Sequence, residues 1–599
     1  MMHILEKLYT NKKKFLNGGG FLCMLICVLI LGACASSKKN YARPDFTDLQ
    51  LFTKEIERIR SLKEKEPVRA LWLATLLYKD CAEKNTDRTD EAVRLCAECA
   101  ENACSAFYSF TEKKKWAQAV RIAQSMQTLY DLYKTSPYDG ISAQNAVSEL
   151  ARLLGDKNFK EQAEYAKNTV NTLPRVPSSP ASGSIADFIR GTVTVWVDLG
   201  VKVEKGMGYA SRVIGSGFFI DKRGYIITNH HVIADLVDSA YEGYGRLYIK
   251  LASDTQTRIP AKVIGWDKTL DLALLKTEVR PPFVFPLGSS ENLSVGARIY
   301  AIGSPAGLES TITSGIVSSF DRNLLSTVSV MQIDAAVNAG NSGGPLVSSD
   351  GYVQGIVFAG MPDFQGLNFA VPVEYLSGIL QSLYAGGEVI HSWVGAYGRT
   401  LKKTPSALEG EGVEVLYLMP GGSADYAGLR SGDVISAING KRIKTVEELQ
   451  TALIFLPPRS LAVLEYRRPE KESNQANTDT LLQSPEHKAL VYLDVRDENP
   501  GKAIYEREPA YRMFYPLFGM ELVPSSASNR RKFSVQTIVK GSNADESGFS
   551  VNDPVEIIRT KLLEDRQAVY AEVYTKKRKS GYLEVNLAVG APLDSPYLF

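Results

Sequence analysis

Histidine is scarce in this chain, with five in 599 residues, and cysteine is nearly as rare, with seven. Three of the cysteines, Cys23, Cys27 and Cys34, lie near the start, and the other four fall between Cys81 and Cys104. Everything beyond Cys104 therefore lacks disulfides and must be held by packing, even in an oxidising compartment. A histidine-rich metal centre is excluded, and any general base must come from very few candidates. No apolar run reaches the roughly 20 residues that a membrane-spanning helix requires. Charge of one sign is also missing: 69 Lys and Arg against 67 Asp and Glu leave +2, which offers nothing to a nucleic acid.

What the first residues do contain is a basic cluster, Lys12 to Lys14, then a short apolar stretch over residues 21–31 that ends in Leu31-Gly32-Ala33-Cys34. This pattern predicts a signal peptide over residues 1–33. Its ending resembles a bacterial lipobox, which implies cleavage before Cys34, acylation of that cysteine and attachment to a membrane surface. Ala35 stands where an aspartate often retains lipoproteins at the inner membrane, so the resemblance favours the outer one.

A length of 599 residues suggests roughly four units at about 150 residues per domain. Residues 34–173 carry apolar positions at three and four spacing and almost no strand signal, which predicts an all-α domain whose helix pairs resemble tetratricopeptide hairpins. Cys96, Cys99 and Cys104 share one broad face of a helix there, and with no histidine beside them they read as small buried hydrophobes rather than metal ligands. Neither a metal nor another cofactor is expected. The stretch PRVPSSPASGS over residues 174–184 is a linker by composition. Over residues 185–388 the pattern switches to short β-branched and aromatic runs broken by Gly, Asn and Asp, an all-β domain. Two further units mixing strands with short helices follow over residues 389–469 and 511–599, with a linker over 470–510.

Acyl transfer by serine needs a hydroxyl, a base, a carboxylate that orients the base, and amides aimed at the oxyanion. Gly340-Asn341-Ser342-Gly343-Gly344-Pro345 has the required form: glycines let the chain turn so that the Gly340 and Ser342 amides converge beside the Ser342 hydroxyl. For the base, His3 leaves with the signal, His391 sits at a domain junction and His487 in the polar linker, which leaves His230 and His231. Asp271 heads the apolar run of Leu272 to Leu275, and the order His, Asp, Ser suits a protease of two barrels.

Together GSGFFIDKRGYIITNHHVI, DLALLK, AIGSPAGL and QIDAAVNAGNSGGPL resemble the HtrA/Deg family of bacterial trypsin-like serine proteases. The resemblance implies a chymotrypsin-like double barrel, and it selects His231, which directly precedes an aliphatic residue, as base in a His231, Asp271, Ser342 triad. It also implies assembly on trimers and cleavage of unfolded or misfolded envelope proteins without ATP. Ala336 stands six residues before Ser342, where trypsin-like enzymes selective for Lys and Arg carry Asp, so Ala336 and Val337 imply an apolar specificity pocket, with Asp334 close by in sequence. The unit over 389–469 resembles the PDZ domains of these proteases, through the run from Met419 to Ala424 and through Gly432-Asp433-Val434-Ile435. In it Trp393, Val394, Gly395, Ala396 and Tyr397 resemble the loop that grips the carboxylate of a peptide C-terminus, beside a strand edge that accepts the peptide. The unit over 511–599 is a looser copy, with Val551-Asn552-Asp553-Pro554 in place of the expected Gly-Asp-Val. Both PDZ units are expected to be α+β.

Overall fold

Six helices, the regular structure among the described residues of 46–171, begin the fold in the computed structural model: α1 (Leu49–Leu62), α2 (Pro67–Glu83), α3 (Thr89–Glu112), α4 (Trp116–Thr135), α5 (Ala143–Gly155) and α6 (Lys157–Asn171). The structure describes residues 46–599 except 85, 136–142, 172–187, 205, 242, 304–310, 326–327, 339, 361–366, 405–409, 470–483, 526–530, 578–582 and 596. The expected signal peptide, Cys34 and the whole 174–184 linker lie outside the described residues.

Asp48 caps α1, accepting from the Gln50 and Leu51 amides, and Pro67 opens α2, where its missing N–H costs nothing. Helix α2 is apolar on nearly every side. Leu71, Trp72, Leu73 and Ala74 are all buried, as they must be in a helix covered on both flanks. One flank meets α3, and the other meets the strand β21 described below. Cys81, Cys96, Cys99 and Cys104 are buried free thiols in this core; burial pushes the Cys99 thiol up to about 12, so it stays protonated and packs as an apolar group.

The β region has two lobes. The first contains β1 (Thr192–Glu204), β2 (Met207–Asp221), β3 (Tyr225–Thr228), β4 (Arg246–Leu251), β5 (Asp254–Pro260), β6 (Lys262–Asp267) and β7 (Leu272–Lys276), hydrogen-bonded in the order β6-β7-β3-β2-β1-β4-β5. Strands β5 and β6 lie far apart in this order but are consecutive in the chain, joined through Ala261. Pro260 ends β5 and has no N–H to continue a ladder, so the chain turns there into β6 on the far side of the sheet, and no hydrogen-bonded closure joins the two strands among the described residues. The second lobe is a hydrogen-bonded closed barrel of β8 (Arg298–Gly303), β9 (Thr311–Leu325), β10 (Val328–Ile333), β11 (Pro345–Ser348), β12 (Val353–Gly360) and β13 (Asn368–Pro372). Helices interrupt the all-β expectation: α7 (His230–Val237) and α8 (Val373–Ala385). A core containing Phe218, Ile227, Ile302 and Val371 joins both lobes to α8 and to Ile454 of the next unit.

After β14 (Gly387–Glu388), which extends the first lobe's sheet beside β6, comes β15 (Ser392–Trp393). The third unit then has β16 (Ala396–Leu401), β17 (Gly412–Leu418), β18 (Val434–Ile438), β19 (Lys441–Arg442), β20 (Leu461–Arg467) and β21 (Glu486–Tyr492), with α9 (Ser423–Tyr426) and α10 (Val446–Phe455). The expected linker over 470–510 is thus shorter. Strand β21 pairs with β20 over seven residues, β22 (Asp494–Val495) pairs with β15, and α11 (Pro500–Arg507) belongs to the last unit. The apolar run Ala489 to Tyr492 explains this: it follows directly on a polar stretch and needs a sheet to cover it. The last unit adds α12 (Ala510–Phe518), α13 (Asn543–Glu546) and the five-stranded sheet β23 (Met520–Pro524), β24 (Lys532–Ile538), β25 (Pro554–Leu563), β26 (Ala568–Lys577) and β27 (Leu583–Pro592).

Candidate active site

Asp271 is where the chain departs from ordinary geometry. It sits between β6 and β7 with φ +53°, a left-handed conformation that costs a non-glycine residue energy and calls for surrounding support. Two bonds supply it. Asp267 accepts the Leu270 amide at 2.9 Å, closing the turn, and the Asn229 side chain donates to the Asp271 carbonyl at 2.8 Å. Asn229 is fully buried and immediately precedes α7.

The Asp271 carboxylate then holds His231 twice. One oxygen accepts the His231 backbone N–H at 2.8 Å, an amide of the first helical turn that has no intrahelical partner, and the other meets Nδ1 at 2.7 Å. This fixes the neutral tautomer with its proton on Nδ1 and leaves Nε2 as an acceptor. The imidazole is half exposed. Burial disfavours its charged form, but the Asp271 bond and charge outweigh that and raise its pKa above the ordinary value. Its neighbour behaves oppositely: burial lowers the pKa of His230, and its Nε2 is buried without a partner among the described residues.

Ser342 comes from the second lobe, yet the first lobe holds it in place. Ser216 of β2 donates its N–H to the Ser342 carbonyl at 2.7 Å and its hydroxyl to the Gly340 carbonyl at 2.6 Å. Gly340 has φ +105°, and Gly343 has φ +87° with no room for a side chain, since a Cβ would lie 2.2 Å from the Ser216 carbonyl oxygen. Among the described residues, neither the Gly340 nor the Ser342 amide meets an acceptor, so both donors remain open to an oxyanion. The Ser342 hydroxyl donates to the Phe358 carbonyl at 3.4 Å, a long bond that it must leave to meet an imidazole. Such loose geometry is common without substrate.

Ala336 is exposed, and Val337 packs partly against the second lobe's core. Asp334 presents its carboxylate to the Ile316 amide at 2.6 Å, which occupies the one anion near this position in sequence. Sequence reasoning missed Ser216, Asn229 and Asp267. Each acts by bonds to backbone or to a distant ring, which leave no pattern in the sequence even where, as with Ser216 and Asn229, the residue lies inside a quoted motif.

A second site lies in the third unit. Trp393, Val394, Ala396 and Tyr397 are buried, and Gly395 has φ +79°. Trp393 pairs with Asp494 through β15 and β22, and both Trp393 and Tyr397 face the last unit's core, while Val394 and Ala396 face their own. The Ala396 amide, expected to be open to a ligand, is taken: it donates to the Phe599 carbonyl at 2.9 Å.

The class defined here is a trypsin-like peptidase domain with attached peptide-groove modules. The trypsin-like peptidase domain family matches residues 215–356, the PDZ domain family residues 414–468, the TP0546 family PDZ domain residues 501–593, and a domain of unknown function, DUF8517, residues 50–147. A probable periplasmic serine endoprotease DegP-like of Pseudomonas fulva is 38% identical over 264 residues, 43% of this chain and 53% of that one. Its namesake in Chlamydia muridarum is 33% identical over 48% of this chain and 58% of its own. That of Marinomonas is 30% identical over 364 residues, 58% of this chain and 71% of its own. The chain belongs to the HtrA/Deg family of trypsin-like serine proteases with PDZ domains. It spans about half the length of the first of these relatives.

Proposed function

We propose that the protein is a serine endopeptidase of the bacterial envelope, facing the periplasm or cell surface, that cleaves unfolded or misfolded proteins, with Ser342 as nucleophile, His231 as general base and Asp271 as its orienter. The observation that carries this reading is the double hold of Asp271 on His231, at 2.8 and 2.7 Å, beside an interlobe turn whose Gly340 and Ser342 amides meet no acceptor among the described residues. Nε2 takes the Ser342 proton as Oγ attacks the scissile carbonyl. The Gly340 and Ser342 amides bind the resulting oxyanion, and the imidazolium, steadied by Asp271, returns the proton to the leaving amine. The first PDZ unit captures peptide ends and brings substrate to the lobes or regulates them. Assembly on trimers and the periplasmic setting follow the family, whose relatives are named as periplasmic endoproteases.

The experiment is casein digestion by purified protein beside Ser342→Ala, with peptides read by mass spectrometry. Cuts are expected after Val, Ala or Leu, because Ala336 provides no anion and Asp334 is engaged with the Ile316 amide. A profile dominated by Lys and Arg would refute the pocket assignment. Cys34 is proposed as the acylated residue, so Cys34→Ala is expected to move the protein out of the membrane fraction. Unchanged membrane retention with normal processing counts against it.

A further inference from the structure

We propose that the groove of the first PDZ unit holds the protein's own segment Tyr597 to Phe599 as a resident ligand, and that substrate segments of the same apolar, phenylalanine-bearing chemistry must displace it. This rests on reading the unit as a peptide receptor.

The segment lies on β16 as an added antiparallel strand. Ala396 donates to the Phe599 carbonyl and Phe599 to the Ala396 carbonyl, each at 2.9 Å, and Gly398 donates to the Tyr597 carbonyl at 3.1 Å. From the opposite wall Gln450 of α10 donates its side-chain amide to the Leu598 carbonyl at 3.1 Å. Three main-chain bonds of a strand-addition ligand are thus in use, while the Tyr597 amide turns back to the Ser595 hydroxyl at 3.3 Å.

Side chains alternate as a strand requires. Phe599 is 1% exposed and shares a core with Val394, Leu449 and Leu453. Leu598, also 1% exposed, points the other way into the core of the last unit. The pocket is shaped for an aromatic ring: a Cβ on Gly398 would lie 2.9 Å from the Phe599 ring, so glycine there opens the floor beneath it. Upstream, the Asp594 carboxylate receives both guanidinium nitrogens of Arg496, at 2.6 and 3.1 Å, which fixes where the segment enters.

A tethered ligand competes strongly. An effective concentration in the millimolar range against a micromolar intrinsic affinity keeps the groove filled by about 10²- to 10³-fold, and an added peptide binds weaker by the same factor. Occupancy then responds to the amount of exposed apolar chain ends, a measure of unfolded protein.

The probe is the peptide Ser-Pro-Tyr-Leu-Phe, titrated calorimetrically into full-length protein with and without Phe599→Asp, both in the Ser342→Ala background to prevent cutting. Hydrogen exchange over residues 593–599 is followed in the protein with Phe599 intact, which keeps the test decisive even if Phe599→Asp misfolds. Expected are binding on the order of 10²-fold tighter to the Phe599→Asp chain, and tail amides that are protected alone but lose protection at saturating peptide. Equal affinities, or tail amides exchanging at the rate of a free chain, overturn the proposal. Peptide bound by neither chain while the tail stays protected overturns the receptor reading beneath it, leaving the segment as a structural strand only.

Discussion

Ser342→Ala and His231→Ala are each expected to lower turnover of an unfolded substrate by on the order of 10⁶, with little further loss in the double variant, because nucleophile and base act as one unit. His230→Ala is expected to do far less. Its ring is held neutral by burial, whereas the Asp271 carboxylate bonds to His231. The pH profile carries the same assignment. His231 must be neutral to accept a proton, and Asp271 raises its pKa despite burial, so kcat/KM should rise through an acid limb centred above about 6.5. Asp271→Asn removes the charge and disturbs the tautomer, and a loss of about 10⁴ is expected. Initial rates across pH 5 to 9 check all of these. Loss of activity in His230→Ala with His231→Ala unaffected would reverse the assignment of the base.

His391→Ala is expected to destabilise the protein by about 3–5 kcal/mol, because it leaves a fully buried carboxylate without its counter-charge. His391 is 3% exposed, its Nε2 lies 2.8 Å from Asp267, and its Nδ1 lies 3.2 Å from the Ile454 carbonyl. Both partners can only accept, so the ring fills both places as the imidazolium. Burial opposes that charge, the Asp267 bond and charge outweigh it, and Arg496 works slightly against it; the net shift is upward. A raised folded pKa means that the stabilisation is complete below the unfolded value near 6.5 and fades as pH climbs through the folded one. Denaturant unfolding of the wild type and His391→Ala should therefore differ most at pH 6 and converge in alkali. A gap that stays constant or widens with pH contradicts the charged pair.

The turn around Ser342 could be read from the sequence because glycines mark it, and scarcity reduced the base to His230 or His231, while only the family resemblance chose His231 and joined it to Asp271. The module order could be read for a similar reason, since hydrophobic period changes from three-and-four to two at the 174–184 linker. What could not be read was whatever depends on a distant partner. Ser216 supports the Ser342 turn from the other lobe, and its place in the GSGFF run does not announce that contact. Strand β21 follows a polar stretch and is identified only by the β20 edge that it completes. The segment from Tyr597 to Phe599 is too short for periodicity, and it becomes a strand only because β16 offers an edge.

The helical region and the first PDZ unit share one hydrophobic core. Trp72 donates its indole N–H to the Leu490 carbonyl at 2.9 Å and stacks on Tyr492, and Ser125 accepts the Leu461 amide at 3.2 Å. Leu461, Leu490 and Tyr492 of the PDZ sheet are buried within the helical core itself. The two therefore melt as a single cooperative block, and neither is a portable cassette: a PDZ unit cut out alone would present those three side chains to water and invite aggregation. Swinging on a flexible tether is equally closed to it. Movement of the peptide groove must instead be a small sliding shear carried by the whole helical mass, which turns the amino-terminal region into the ballast against which the groove works.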